Sequence, residues 1–415
     1  MHENLYCSGG VGLEKSDLFV LTGAGASYPI VPVTTVLTDQ LMEWFLNEYC
    51  ITSLDERVLP IRELTTGLAV KVSDSKGILN FEDFVDSLDI LGSMLHSKET
   101  PLFYPAMNVL QELLVEKRIL RRDGLPSEFL DVIYLKSVVH DVRTEILRRV
   151  FGAVKTHAQS QLTRAPINKL LRVLMAFYNL RVVSLNYDNL VDYSGIRFKT
   201  GFNRHQGADG YSEYDPQFER DHFAQSHLYL PLHGSIHFGK KPGAISPGRL
   251  HEPVWFDSIE QINRNEFGMN LHIADEIDST MITGHRKWDN LVTVPYSSYY
   301  SMLRRFAFES PRWLIIGYGG QDPHVNVILR DALRYRWSSG QPPTLIICDK
   351  REKEQMKSLI KNIWGVPSLE DGASTNVAWH QVFLGHIHVG WMWNDGVEKF
   401  PIDSALERLA NDLVT

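Results

Sequence analysis

Cysteine is scarce in this chain. Cys7, Cys50 and Cys348 are the only three in 415 residues, and no C-x-x-C pair occurs. That excludes a four-cysteine zinc module and argues against a disulfide framework, so a reducing, cytoplasmic home is the expectation. A positive charge excess is missing too. Lys and Arg total 42 against 50 Asp and Glu, a formal net charge of -8. No global field then draws the chain to nucleic acid or to an anionic membrane, and direct nucleic-acid binding is not indicated. No apolar run reaches the ~18 residues of a membrane span. The opening MHENLYCSGGVGLEKSD lacks the charged-then-apolar pattern of a secretory signal. What is present is ordinary globular composition, 44% hydrophobic and 22% charged, at a length of roughly two to three domains.

Organisation follows from periodicity. Asp17 to Leu21 reads as a buried strand, glycines follow it, and Leu37, Leu41, Trp44 and Phe45 then recur at helical spacing. From about Ile51 to Leu180 the pattern turns mostly helical. Its clearest member, Asp131 to Val154, carries Leu135, Val139, Val142, Ile146 and Val150 on one stripe. Lys136, Arg143, Glu145, Arg148 and Arg149 lie off that stripe and read as a solvated face. Strand signals return at Arg181 to Leu185, His227 to Leu232, Trp313 to Gly317 and Thr344 to Cys348, with helices between or after them. Apolar strands alternating with helices predict an α/β fold, Rossmann-like and doubly wound, with a mainly parallel sheet and a helical insertion lobe. The expected units are an arm at 1–15, a discontinuous sheet domain over 16–50 and 181–350, the lobe over 51–180, and a C-terminal extension over 351–415. In that extension TNVAWHQVF and HIHVGWMW alternate like strands, and Ser404 to Leu413 reads as a closing helix. His380, His386 and His388 have no nearby carboxylate or cysteine to complete a metal set, so packing or an interface is the reading preferred.

The residues that carry chemistry sit where strands end. In LFVLTGAGASYPI, 18 to 30, a strand opens into Gly23, Ala24, Gly25, Ala26 and Ser27. Such a turn lets backbone approach a pyrophosphate, with amides supplied by a following helix N-terminus. The dinucleotide fingerprint wants a third glycine where Tyr28 stands, and Glu43 has the spacing of its ribose-binding acid but lies inside the first helix. The loop alone is therefore either a nucleotide seat or a tight connection. Three more strands end in polar groups: VVSLNYDNLVD at Asn186, LYLPLHGSIHFG at His233, and LIIGYGGQDPHV in glycines and then Asp322. All would emerge at one sheet edge, where open α/β sheets bind ligands. Each has a plainer reading: Asn186 as a cap, His233 as a satisfied buried histidine, and Asp322 as the N-cap before Pro323. Tyr187 and Asp188 could equally serve only the turn after their strand.

Taken in order, these motifs resemble the sirtuin superfamily, in its bacterial defence-type branch. GAGAS at 23 to 27 looks like the family's NAD-binding loop, Asn186 in LNYD like its asparagine near the nicotinamide ribose, and His233 in LHGS like its catalytic histidine. GYGGQDPH at 317 to 324 resembles a late motif of the branch, and NFEDF at 80 to 84 a shorter one. The resemblance implies Asn186 and His233 as catalytic residues, with Asp188, Gly317, Tyr318 and Asp322 joining the opening loop in cofactor binding. Two departures bear on substrate. The four-cysteine zinc module of the protein deacylases has no counterpart, and YPIVPVTT stands where those enzymes carry a Pro-Asp-Phe-Arg stretch. What the resemblance then implies is NAD as substrate, without zinc, and cleavage of the nicotinamide–ribose bond by a NAD-depleting antiviral effector. Among arrangements of the branch the chain most resembles the stand-alone subunit that works with a HerA-like hexameric ATPase, as a homo-oligomer. The alternatives are an NAD-dependent protein deacylase and a non-catalytic module binding NAD or ADP-ribose.

Overall fold

Four consecutive apolar residues, Leu18, Phe19, Val20 and Leu21, are wholly shielded from solvent. A strand needs an uninterrupted apolar run only when both faces of its sheet are covered, and the computed structural model places this one centrally. The structure describes residues 15–49, 59–75, 79–96, 129–202, 210–221, 226–239, 253–256, 293–350, 359–361, 363–364, 368–370, 379–384, 387–393 and 397–410. The arm at 1–15 lies outside these, apart from Lys15.

β1 (Asp17–Thr22) pairs in parallel with β2 (Asn179–Ser184), Leu18 opposite Leu180. Beyond β2 stands β4 (Leu228–Pro231), also parallel, while β3 (Tyr211–Ser212), β5 (Phe238–Gly239) and β6 (Val254–Phe256) form a small separate sheet. On its other side β1 pairs with β7 (Arg312–Ile316), and β7 with β8 (Thr344–Cys348), both parallel. Three further strands, β9 (Ser368–Glu370), β10 (Trp379–Leu384) and β11 (Ile387–Trp393), complete the order β4-β2-β1-β7-β8-β11-β10-β9. The C-terminal segment thus continues the main sheet: β11 runs parallel to β8, and β10 is antiparallel to both its neighbours. The fold is α/β with a mainly parallel sheet.

The first helix, α1 (Thr34–Trp44), is followed by α2 (Leu59–Asp74), α3 (Phe81–His96) and α4 (Phe129–Lys155), which pack on one another. Next comes α5 (Pro166–Phe177), which leads into β2, and then α6 (Tyr296–Glu309), α7 (Pro323–Ser338) and α8 (Ile402–Ala410). Phe84, Val142 and Ile146 of the helical region and Val20, Ile315 and Ile346 of the sheet belong to one continuous apolar core. One sequence expectation fails on α4. Arg143 and Glu145 are buried rather than on a solvated face. Both α1 and α3 pack across this long helix, covering more of its girth than one stripe, and Glu145 sits 2.6 Å from Arg148 Nε and 2.7 Å from Arg149 Nε. Arg148 keeps the solvent exposure expected of it.

Among the described residues, no helix is long and apolar enough to cross a membrane, and no group of three His, Cys, Asp or Glu is arranged to hold a metal. His386 and the side chains of His380 and His388 fall outside the described residues.

Candidate active site

Hydrogen bonding between neighbouring strands runs past their carboxyl ends. Leu185 donates to Thr22, Leu232 to Ser184, Gly23 to Ile316 and Gly317 to Cys348, all between backbone groups. The residues that follow these strands are therefore held in a row along one sheet edge, in the order His233, Asn186, Gly23, Gly317 and Asp349. The row spans the point beside β1 where the strand order reverses, with β2 and β4 on one side and β7 and β8 on the other, the usual ligand crevice of open α/β folds. A cleft of about 1360 Å³ lies over it, lined by Gly23, Ala24, Gly25, Ser27, Asn186, Asp188, His233, Gly317, Tyr318 and Asp322 among others. Of the expected set, Ala26 alone is not among the lining residues and packs into the core.

The glycines meet each other. Gly25 N–H donates to Gly317 O at 3.1 Å. A Cβ on Gly23 would stand 2.6 Å from Gly317 O, and one on Gly25 would stand 2.8 Å from Gly317 Cα. Gly317 itself has φ +60, where a side chain is strained. Two turns distant in sequence thus pack backbone to backbone. The amides of Gly23, Gly25, Ala26 and Ser27 each donate to a protein carbonyl, and the turn over Ala24–Ala26 is a 3₁₀ helix. The helix that follows begins at Thr34, beyond Pro29 and Pro32, which lack the N–H a helix interior requires. The loop is a narrow floor with its amides mostly committed, rather than a helix terminus aimed at a phosphate.

Asn186 is locked by that floor. Its Nδ2 donates to Gly23 O at 3.0 Å and to Ser27 Oγ at 2.8 Å, and Ser27 Oγ in turn donates to Asp188 Oδ2 at 2.6 Å. Both amide hydrogens of Asn186 are used, which leaves Oδ1, an acceptor, as its remaining polar atom. Asp188 also accepts from Leu190 N–H at 3.0 Å. Burial pushes its carboxyl upward, against the hydrogen bonds from Ser27 and Leu190. Asp188 thus anchors Ser27 and the turn after β2.

His233 occupies the neighbouring position, buried but lining the cleft. The adjacent Gly234 has φ +99. Ile236 N–H donates to Tyr187 O at 2.8 Å, which ties the turn after β4 to the turn after β2. The imidazole centroid is 6.4 Å from that of Tyr187. His233 Nε2 approaches Asp322 Oδ2 to 3.0 Å, but off the hydrogen-bond axis, so this is a close contact without an aligned bond. Asp322 caps α7 as its sequence promised: Oδ1 accepts from His324 N–H at 2.9 Å and Val325 N–H at 3.2 Å. Tyr318 hydroxyl donates within the protein, to Asn326 Oδ1 at 2.7 Å and Asp322 O at 3.1 Å.

Sequence reasoning gave several cleft residues no role in the site. Tyr187 hydroxyl donates to Glu82 Oε1 at 3.2 Å. Burial foremost, and then the Glu82 charge, hold this phenol well above its usual range, so it stays protonated. Glu82 reaches the cleft from the first turn of α3. Asn80 starts that helix as a reciprocal cap, accepting from Glu82 N–H at 2.7 Å and donating its own N–H to Asp83 Oδ2 at 2.8 Å. NFEDF supplies both partners of this cap, and its aim at the cleft depends on packing from elsewhere in the chain. Glu82, Asp83 and Asp86 together make this wall acidic, while Asp349 and Lys350, after β8, line the opposite end.

Comparison with known proteins bears on the second part of this site. A family model described as a SIR2-like domain matches residues 180–366, a span that contains Asn186, His233, Gly317 and Asp322 but not the opening glycine loop. No curated protein matches the chain. Among solved structures, one described as "The Structural basis of Sirtuin Substrate Affinity" is 11% identical, covering 85% of this chain and 87% of its own, with a TM-score of 0.33. Another, "Structural Basis for the Mechanism and Regulation of Sir2 Enzymes", is 12% identical over 95% of this chain and 92% of its own, also with a TM-score of 0.33. Overlap at that level is too low to carry weight, and the fold rests on the chain's own strand order. Across residues 180–366, the chain is similar to the SIR2-like domain family.

Proposed function

We propose that the protein hydrolyses NAD at the nicotinamide–ribose bond, giving nicotinamide and ADP-ribose. The observation that carries this reading is the placement of Asn186 and His233 on adjoining strand ends, in one cleft over the paired glycine turns. The cleft exceeds the roughly 300–1,000 Å³ of most small-molecule sites, as a dinucleotide requires. With the diphosphate over the Gly23 and Gly317 turns, the nicotinamide riboside would lie toward β2 and β4, and the adenosine toward β8.

Cleavage of this bond releases nicotinamide with the bonding electron pair and leaves an oxocarbenium-like ribose, as in glycoside hydrolysis. Asn186, its amide hydrogens engaged by Gly23 and Ser27, would accept from a water or a ribose hydroxyl through Oδ1 and so fix the nucleophile. His233 would take the proton that the attacking water loses at C1′. A positioned base of this kind contributes about 10²- to 10⁴-fold in rate. The acidic wall of Glu82, Asp83 and Asp86 favours positive charge developing on the sugar.

In this reading residues 16–50 and 181–350 form the dinucleotide-binding unit, and the helical region over 51–180 walls the cleft. The biological role proposed with it is NAD depletion in antiviral defence, by a homo-oligomer working with a HerA-like hexameric ATPase in the cytoplasm. Purified protein incubated with NAD, alone and with such an ATPase, should release nicotinamide and ADP-ribose in equal amounts. An acyl-ADP-ribose product in the presence of acylated peptide would replace hydrolysis with deacylation. Thermal stabilisation by NAD without any turnover in either condition would leave only a binding module.

A further inference from the structure

We propose that Asp322 is a positioning residue: its carboxylate holds His233 with the proton on Nε2, leaving Nδ1 as the basic nitrogen toward the cleft. Both side chains are about nineteen-twentieths buried, and Asp322 Oδ2 stands 3.0 Å from Nε2. That nitrogen is enclosed and, among the described residues, has no acceptor or donor aligned with it. Were Nε2 unprotonated, its lone pair would face a carboxylate oxygen in a site screened from water. With the proton on Nε2, the same contact becomes an N–H turned toward an anion, and catalytic hydrogen bonds of this kind straighten as substrate seats.

The carboxylate cannot turn away freely. Its other oxygen is fixed by the amides of His324 and Val325 at the start of α7, and its backbone carbonyl accepts from Tyr318. Around the pair, Tyr187 of the turn after β2, Tyr300 of α6 and Tyr318 of the turn after β7 are neutral phenols, held well above their usual range by burial first. Glu82 of α3 is engaged by Tyr187 hydroxyl. Asp322 is thus a charged group in direct contact with the ring.

Asp322→Asn separates this role from capping. Asn caps helices about as well as Asp, and with its single oxygen kept on the α7 amides it turns an NH₂ donor toward Nε2. A donor there selects the opposite tautomer, with the proton on Nδ1. The role in the reaction rests on the NAD reading, but the tautomer does not. Long-range proton–nitrogen NMR of the full chain labelled with ¹⁵N-histidine, with His233 assigned by the loss of its signals in His233→Gln, reads it directly. We expect a protonated Nε2 and a pyridine-type Nδ1 above neutral pH, exchanged in Asp322→Asn. We also expect kcat for NAD to fall by about 10²- to 10⁴-fold with KM little changed. A protonated Nδ1 in the parent protein, an unchanged tautomer in Asp322→Asn, or NAD turnover by Asp322→Asn equal to that of an active parent would overturn the proposal. If the tautomer exchanges as expected but the parent consumes no NAD, the positioning role stands and the NAD reading falls.

Discussion

Gly317→Ala probes the contact on which the whole cleft floor depends. A Cβ built there would lie 2.3 Å from Ala26 N and 2.4 Å from Gly25 C, both backbone atoms that no rotamer change can move. The residue also sits at φ +60, where a side chain costs about 1–2 kcal/mol. Forcing an extra methyl into filled space adds about 1–3 kcal/mol, so the expected loss is about 2–5 kcal/mol in total. Two other glycines calibrate it. Gly195 has φ +77 with nothing within 4 Å of a built Cβ, so its Ala variant should lose only the conformational part, about 1–2 kcal/mol. Gly67, inside α2 with the same open space, should gain about 0.5–1 kcal/mol. Urea midpoints at unchanged slope give the three values. If Gly317→Ala costs no more than Gly195→Ala, the two glycine turns do not abut, and the seat assigned to the diphosphate is lost with them.

Two further outcomes follow from the network beneath Asn186. Ser27→Ala removes an acceptor from Asn186 and a donor to buried Asp188. It should cost about 1–3 kcal/mol in urea unfolding and should lower NAD turnover as the Asn186 amide loosens; an unchanged midpoint would mean the chain of bonds contributes nothing. Asp188 supplies a pH test with a definite sign. Its carboxyl titrates above the ordinary 3.8 in the folded protein because of burial, so the folded state holds this proton more tightly than the unfolded state does. The stability from that proton is fully present below 3.8 and is lost as pH rises through the raised value. Thermal unfolding of the parent relative to Asp188→Asn should therefore fall across that window and run level above it. A difference that rises with pH would contradict the assignment.

Much of the scaffold was legible because burial leaves a local mark. The run Leu18 to Leu21 announced a strand covered on both faces, and Asn186, His233 and Gly317, which end VVSLN, LYLPLH and LIIG, do share a sheet edge. Asp322 before Pro323 was readable as a cap, and it is one. What the sequence hid was pairing at long range. Gly23 and Gly25 looked like room for a ligand, yet the room they make is first for Gly317, nearly three hundred residues away. Ser27 and Asp188 were each expected to take part in cofactor binding, and nothing local showed that they bond to each other. Arg143 and Glu145 broke the apolar stripe of α4 and so looked solvated; helices packing from several sides bury them regardless. No periodicity encodes which partner arrives from elsewhere in the chain.

The most direct test of the central claim is product analysis of NAD incubated with the parent protein and with His233→Ala, each with and without a hexameric ATPase partner. The account predicts nicotinamide and ADP-ribose in equal amounts from the parent, and a rate lower by about 10²- to 10⁴-fold from the variant. Intact NAD in every parent reaction, or parent-level hydrolysis by His233→Ala, would contradict it.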